Sequence, residues 1–376
     1  MRLWATAHMV DDFYQGLVPA AVPFFVLERH YSYTAASGLA LAATLGSALP
    51  QILIGAIADK RRMVWMSPLG LALAGIGAGL SGVAGTYAAV WTLLLLSGFG
   101  VAMFHPPAGR DARVVAGDSA GAMSYFAAGG SVGFFLAPAL ATPALDAWGV
   151  GATAVFIPPA VLMAWVLWRA QRRVHAHTRA AMGSGGRDRW GMFGTLTAVE
   201  VVRSTISFGI NTFVALYWIR HLGATSGLAG FALTLQLVGG VAGTLLGGRL
   251  GDRFGMVRTV QIGNLAVIPA LFAMLACQSA IAALPLVFLV GLATNIPFAV
   301  LVKLGQDYLP NRPGTAAGVT LGLAVSAGGL FMPILGWIAD RHGTPAVFVV
   351  LGLIPLVALA LSTGLREPEP LVVATT

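Results

Sequence analysis

The chain reads as an all-α membrane protein of twelve spanning helices arranged as two six-helix bundles. Three observations carry that reading. The 376 residues are 57% hydrophobic and only 10% charged, whereas soluble domains carry about 25% charged residues. The mean hydropathy is +0.82, and no aqueous fold hides so much apolar surface. Apolar stretches recur along the chain at about 20 residues, the length that crosses a bilayer as a helix. The chain also repeats itself: Gly55-Ala-Ile-Ala-Asp59-Lys60 returns as Gly248-Arg-Leu-Gly-Asp252-Arg253, an offset of 193. Pro138 and Pro333 lie 195 apart and Asp146 and Asp340 lie 194 apart, so the offset holds at distant points. Paired halves in a membrane chain place a substrate site between them and point to alternating access. Transport is therefore the leading expectation.

The spans fall in order at 4–27, 36–58, 64–84, 87–106, 119–144, 151–169, 192–219, 227–249, 258–277, 282–304, 313–338 and 345–365. The first carries acidic residues, runs past a signal-peptide core and lacks an obvious cleavage site, so it reads as a spanning helix. The second and eighth close on the repeated Gly-x-x-x-Asp turn. The fourth ends at His105, because Pro106 and Pro107 remove backbone donors and stop a helix. The fifth carries Gly129-Gly130-Ser131-Val-Gly133 and the eleventh Ala327-Gly328-Gly329. Such small residues let helices approach closely, and the seams serve packing or bending during gating. The polar stretch 170–190 divides an N-terminal bundle, 1–169, from a C-terminal bundle, 191–376.

Lysine and arginine set the orientation. With the N-terminus cytoplasmic, 18 of the 22 fall inside, among them Lys60, Arg61, Arg62, Arg172, Arg173 and Arg179. Only Arg29, Arg220 and Arg341 fall outside, and Arg203 lies within a helix. Both termini are thus expected in the cytoplasm. The same placement makes the net charge of +8 a topology signal and excludes nucleic acid as a partner. The single cysteine, Cys277, excludes an intramolecular disulfide. The histidines are scattered, so no metal-ligand cluster stands out, and no nucleophile elbow or phosphate loop appears. No metal or cofactor is implied. The expected partners are a small-molecule substrate, protons and the bilayer, with a monomer sufficient for the cavity.

The Gly-x-x-x-Asp-[Arg/Lys] turn resembles the signature loop of the major facilitator superfamily. Three further stretches resemble its fosmidomycin-resistance branch: His8-Met-Val-Asp-Asp12-Phe-Tyr-Gln15-Gly-Leu-Val-Pro19, Phe104-His105-Pro106-Pro107-Ala-Gly-Arg110-Asp-Ala-Arg113, and Leu301-Val-Lys-Leu-Gly-Gln306-Asp307-Tyr-Leu-Pro310. The resemblance implies the major facilitator fold and a proton-driven exporter of a bacterial inner membrane. The substrates it implies are small, anionic and fosmidomycin-like.

Ionisable groups inside a span are costly, so each is a functional candidate. His8, Asp12 and Gln15 share one helical face at i, i+4 and i+7. Asp12 lies roughly 12 Å beyond Trp4 along the first helix, too deep for a short side chain to reach water. It either exchanges protons and meets substrate or anchors a structural polar cluster. His8 is a relay or an interfacial histidine, and Asp11 supports them. Glu200 and Arg203 sit three apart at the matching depth of the second half. Arg203 is the candidate anion clamp, because a guanidinium presents paired donors. Glu200 neutralises it and takes a proton, unless the two form a plain packing pair. Asn211 supplies an amide toward substrate, and Lys303 partners the His105 region in the second half. Arg110 and Arg113 are topology charges of a cytoplasmic loop or gate contacts. Asp59, Asp252, Arg253 and Asp307 are the remaining gating candidates. Short acids after a helix pair within their own loop or cap a neighbouring helix start. A transporter or facilitator of another small solute (sugar, organic acid or metal chelate) is the alternative. A membrane enzyme would need a polar catalytic domain, and no stretch is long enough to supply one.

Overall fold

Prolines and glycines decide where the helices of this chain break, though not always where the sequence places the breaks. The structure is a computed structural model describing residues 1–31, 33–61, 63–178 and 186–368. Among the described residues every regular element is helical. The first half holds α1 (Arg2–Arg29), α2 (Tyr33–Ala48), α3 (Pro50–Lys60), α4 (Met66–Ser81), α5 (Tyr87–Ala116), α6 (Ala120–Trp148) and α7 (Ile157–Thr178). The second holds α8 (Trp190–Arg220), α9 (Ser226–Phe254), α10 (Met256–Ala276), α11 (Leu284–Asn295), α12 (Phe298–Tyr308), α13 (Pro313–Ala317), α14 (Ala324–Ala327), α15 (Met332–Leu353) and α16 (Pro355–Ser362). Nine described segments are long and apolar enough to cross a membrane.

Several expected boundaries move. The helix expected to stop at Pro106 continues to Ala116 as α5. Proline fixes a φ that suits a helix and removes only its own donor. The surrounding residues Phe104, His105, Ala108 and Arg110 are all buried, so packing overrides the lost bonds. Arg110 and Arg113 are therefore helical, not loop residues. Conversely, the expected spans 36–58 and 282–304 are each broken at a proline, before Pro50 and at Pro297. The expected gap between 338 and 345 is a kink inside α15 at Gly343, whose φ of 78° suits glycine. The start of the expected linker is the end of α7. Residues 179–185 lie outside the described residues, as do Arg62, Arg179 and the side chains of Arg172 and Arg173.

Two compact units emerge. The first comprises Met1–Gly117, Tyr125–Gly185 and Asn311–Leu323. Its core includes Leu17, Phe25, Leu39, Leu94 and Ala160. Within it, Gly129 and Gly133 of α6 press onto the backbone of Ala5 and Met9 of α1, where any Cβ would collide. The second unit comprises Asp118–Ser124, Gly186–Pro310 and Ala324–Thr376. Its core includes Ile210, Tyr217, Trp218, Leu271 and Phe348. Large apolar side chains also point outward in both, such as Leu53 at 69% exposure and Leu265 at 59%. Water would penalise such a surface and lipid solvates it.

Candidate functional site

In the first unit α1 and α5 bring His8, Asp11, Asp12 and His105 together. His8 Nε2 lies 3.1 Å from His105 Nε2 and 3.3 Å from Asp12 Oδ2. His105 Nε2 lies 3.0 Å from Asp12 Oδ1 and 3.9 Å from Asp11 Oδ2. His8 Nδ1 donates to the Phe126 carbonyl at 2.8 Å. A carbonyl only accepts, so that nitrogen carries a proton and Nε2 is the lone-pair nitrogen of the neutral ring. Gln15 Nε2 donates to Asp12 Oδ1 at 2.6 Å. His8, Asp11 and His105 are buried, whereas the Asp12 side chain keeps 16% exposure. The two oxygens of Asp11 accept no hydrogen bond among the described residues. Sequence separation hid this cluster, since 97 residues part the two histidines. The impression of scattered histidines is thus corrected: the fold gathers three groups of metal-ligating type, His8, Asp12 and His105.

In the second unit Arg203 of α8 grips Glu200 with two bonds, Nη2 to Oε1 at 2.6 Å and Nε to Oε2 at 3.0 Å. Its Nη1 donates to Ser207 Oγ at 3.3 Å, and its guanidinium lies 4.7 Å from the Phe298 ring centre. Both members of the pair are buried. Lys303 is buried too and bonds Asp307 at 2.7 Å one helical turn on. Gln306 beside it is buried with neither amide atom bonded. Asn211 is exposed.

The repeated acid sits in the last turns of α3 and α9, not in a following loop. Asp59 accepts from Gly314 N at 2.6 Å, Thr315 N at 2.8 Å and Thr315 Oγ at 2.6 Å. Asp252 accepts from Ala120 N at 2.5 Å, Gly121 N at 2.9 Å and Ser119 Oγ at 2.9 Å. Each thus caps a helix start, where unpaired amides and the dipole favour an anion. Gly121 and Gly314 differ by 193, the same offset as Asp59 and Asp252. The offset therefore converts either clasp into the other once one is seen, while the sequence left open whether each acid pairs in its own loop or caps a neighbouring helix. Arg110 donates to the Ala58 carbonyl beside Asp59. Arg113 lies one turn further along α5. Arg253 is exposed and stacks over Phe254 at 5.1 Å instead of pairing with Asp252.

Residues 196–375 match the family described as Major Facilitator Superfamily. The fosmidomycin resistance protein of Escherichia coli (strain K12) is 28% identical over 366 residues, spanning 94% of this chain and 89% of that protein. The second half of the chain thus matches the major facilitator superfamily, and nearly the whole chain resembles the fosmidomycin resistance protein. An uncharacterised MFS-type transporter of Bacillus subtilis (strain 168), YfnC, is 26% identical over 365 residues, with 94% and 89% covered. Among solved structures, the major facilitator transporter FucP in its outward conformation aligns with a TM-score of 0.76 over 96% of this chain and 97% of that one, at 14% identity. The proton:xylose symporter XylE aligns at 0.72 over 98% and 95%, also at 14% identity. At such identities these two share the fold alone. The matched family is one of multi-pass membrane transporters of small molecules and not of enzymes, and nine described segments of this chain are long and apolar enough to cross a membrane.

Proposed function

We propose that this transporter exports small anionic molecules of the fosmidomycin type in exchange for protons. The observation that carries the reading is the hydrogen bonding of the His8–Asp12–His105 triangle. With Asp12 ionised, no placement of protons satisfies all three edges. Giving both histidines an Nε2 proton sets two N–H groups face to face, and leaving one bare turns a lone pair on a carboxylate oxygen. A proton on Asp12 Oδ2 removes both conflicts and satisfies two edges: Asp12 donates to His8 Nε2, and His105 Nε2 donates to Asp12 Oδ1. The cluster so has two bonding states that differ by one proton. Asp11 adds a second buried carboxylate beside it.

The Glu200–Arg203 pair supplies the anion side of the exchange. A proton on Glu200 weakens its hold and frees the guanidinium's paired donors for a phosphonate or carboxylate. The relative named for fosmidomycin resistance supports a cargo of that class. Asp59 and Asp252 act as clasps whose making and breaking accompanies gating, with Arg110 holding the end of α3. In this reading the chain has twelve spanning helices in two six-helix bundles, 1–169 and 191–376, joined by 170–190. It works as a monomer in a bacterial inner membrane with both termini in the cytoplasm.

The test is pH-driven transport of labelled fosmidomycin in proteoliposomes, comparing wild type with Asp12→Asn and Glu200→Gln. Gradient-driven movement should vanish in both variants while substrate still binds. Wild-type coupling in both variants removes the proton scheme. Movement indifferent to the gradient makes the protein a facilitator, and no movement of fosmidomycin rejects the cargo.

A further inference from the structure

The triangle that exchanges protons in the reading above is also built to the dimensions of a metal site. Its three edges measure 3.1, 3.3 and 3.0 Å between His8 Nε2, His105 Nε2 and the nearer Asp12 oxygens. Ligands about 2.0–2.2 Å from a tetrahedral ion stand roughly 3.3 Å apart, close to these separations, with Asp12 offering Oδ2 toward His8 and Oδ1 toward His105. Two of the three ligands are already oriented by an outer partner, a feature metal sites favour, while His105 Nδ1 has none among the described residues. The Phe126 carbonyl takes the Nδ1 proton of His8 and leaves Nε2 with its lone pair. Gln15 holds Asp12 through Oδ1. Asp12 supplies a carboxylate toward a divalent ion, and Asp11 Oδ2 lies 3.9 Å from His105 Nε2 beside it. Room is reserved by Gly130 of α6, where a Cβ would come within 2.7 Å of His8 Cε1 and Nε2.

We infer that His8, Asp12 and His105 bind a first-row divalent cation of the Zn²⁺ type, with a fourth coordination position left open. Two imidazoles and one carboxylate suit Zn²⁺, Co²⁺ or Ni²⁺, whereas Mg²⁺ and Ca²⁺ want oxygen ligands alone and Cu⁺ wants sulfur. A cation engages the lone pairs of all three groups at once, with His105 in its Nδ1–H form.

The test uses the full chain, purified without a polyhistidine tag, stripped with a chelator and titrated with Co²⁺ as a visible probe. Wild type should bind one equivalent with the intense visible bands of a four-coordinate N/O site, and Zn²⁺ should displace it. His105→Gln and Gly130→Ala should each weaken binding more than about tenfold. If His105→Gln fails to fold, Gly130→Ala and the wild-type spectrum still decide. No stoichiometric binding to wild type, unchanged affinity in a folded variant, or a thiolate band from Cys277 overturns the assignment. These readings involve neither substrate nor a proton gradient, so they fail independently of proton-coupled export.

Discussion

Removing either partner of the Glu200–Arg203 pair should unfold far more readily than removing both. Glu200 is fully buried and Arg203 nearly so, and two bonds of 2.6 and 3.0 Å join them. Deleting one partner leaves an uncompensated charge away from water, at a cost of about 3–5 kcal/mol. Replacing both with apolar side chains of similar volume is close to neutral, within about 1 kcal/mol, because neither charge then has to be desolvated. The pair Glu200→Leu with Arg203→Met keeps volume, and the methionine sulfur retains a contact with the Phe298 ring, over which the guanidinium now lies at 4.7 Å. Unfolding by SDS in mixed micelles reads the four variants of the cycle. The singles should lose about 3–5 kcal/mol and the double about 1, a coupling of several kcal/mol. Transport then separates function from packing. If Arg203 clamps the anion, the double variant regains stability but not substrate binding. Restored binding in the double variant would make the pair a packing element only. Additive losses in the cycle would refute the premise that the two charges compensate each other.

Two further outcomes follow from contacts in the helices. Asp59→Asn keeps one acceptor oxygen but loses the charge that three donors share, which removes about 2–4 kcal/mol, less than the roughly 1.5–3 kcal/mol of each of three charge-assisted bonds summed, because the amide oxygen still accepts. Hydrogen exchange at the Gly314 and Thr315 amides should rise by about 10–1,000-fold, and unchanged exchange would show that the carboxylate does not hold that helix start. Gly133→Ala sets a methyl against the Met9 backbone and should cost about 1–3 kcal/mol by overpacking the α1–α6 seam, read as a lower SDS midpoint. A midpoint at or above wild type would mean the helices separate freely there.

What the sequence discloses and what it hides divides along the distance over which each contact is made. Lipid tolerates no unpaired backbone, so every span must be a long apolar helix, and such spans are readable by length alone. The pairs Glu200–Arg203, Lys303–Asp307 and His8–Asp12 stand three or four residues apart and announce themselves by helical periodicity. Prolines were less faithful. Pro106 and Pro107 predicted a stop that packing overrides, while Pro50 and Pro297 break helices the hydropathy ran through. A proline removes one donor wherever it stands, and the neighbours decide whether the helix continues without it. His105 shows the same limit at the site. Its meaning comes from facing His8 and Asp12 across a helix interface, and neither its spacing from them nor its own neighbourhood in the chain encodes that meeting. Only the repeat reaches that far. Because Asp59 and Asp252 share an offset with Gly314 and Gly121, the duplicated unit carries its long-range cap with it, and the offset alone, applied to one observed clasp, yields the other. The His8–His105 cluster has no such echo, since the second half sets Glu200 and Arg203 at the corresponding depth of its first helix. The two halves therefore keep their helix-capping acids alike and differ in their buried charges, an asymmetry that suits the proposed exchange of protons for an anion.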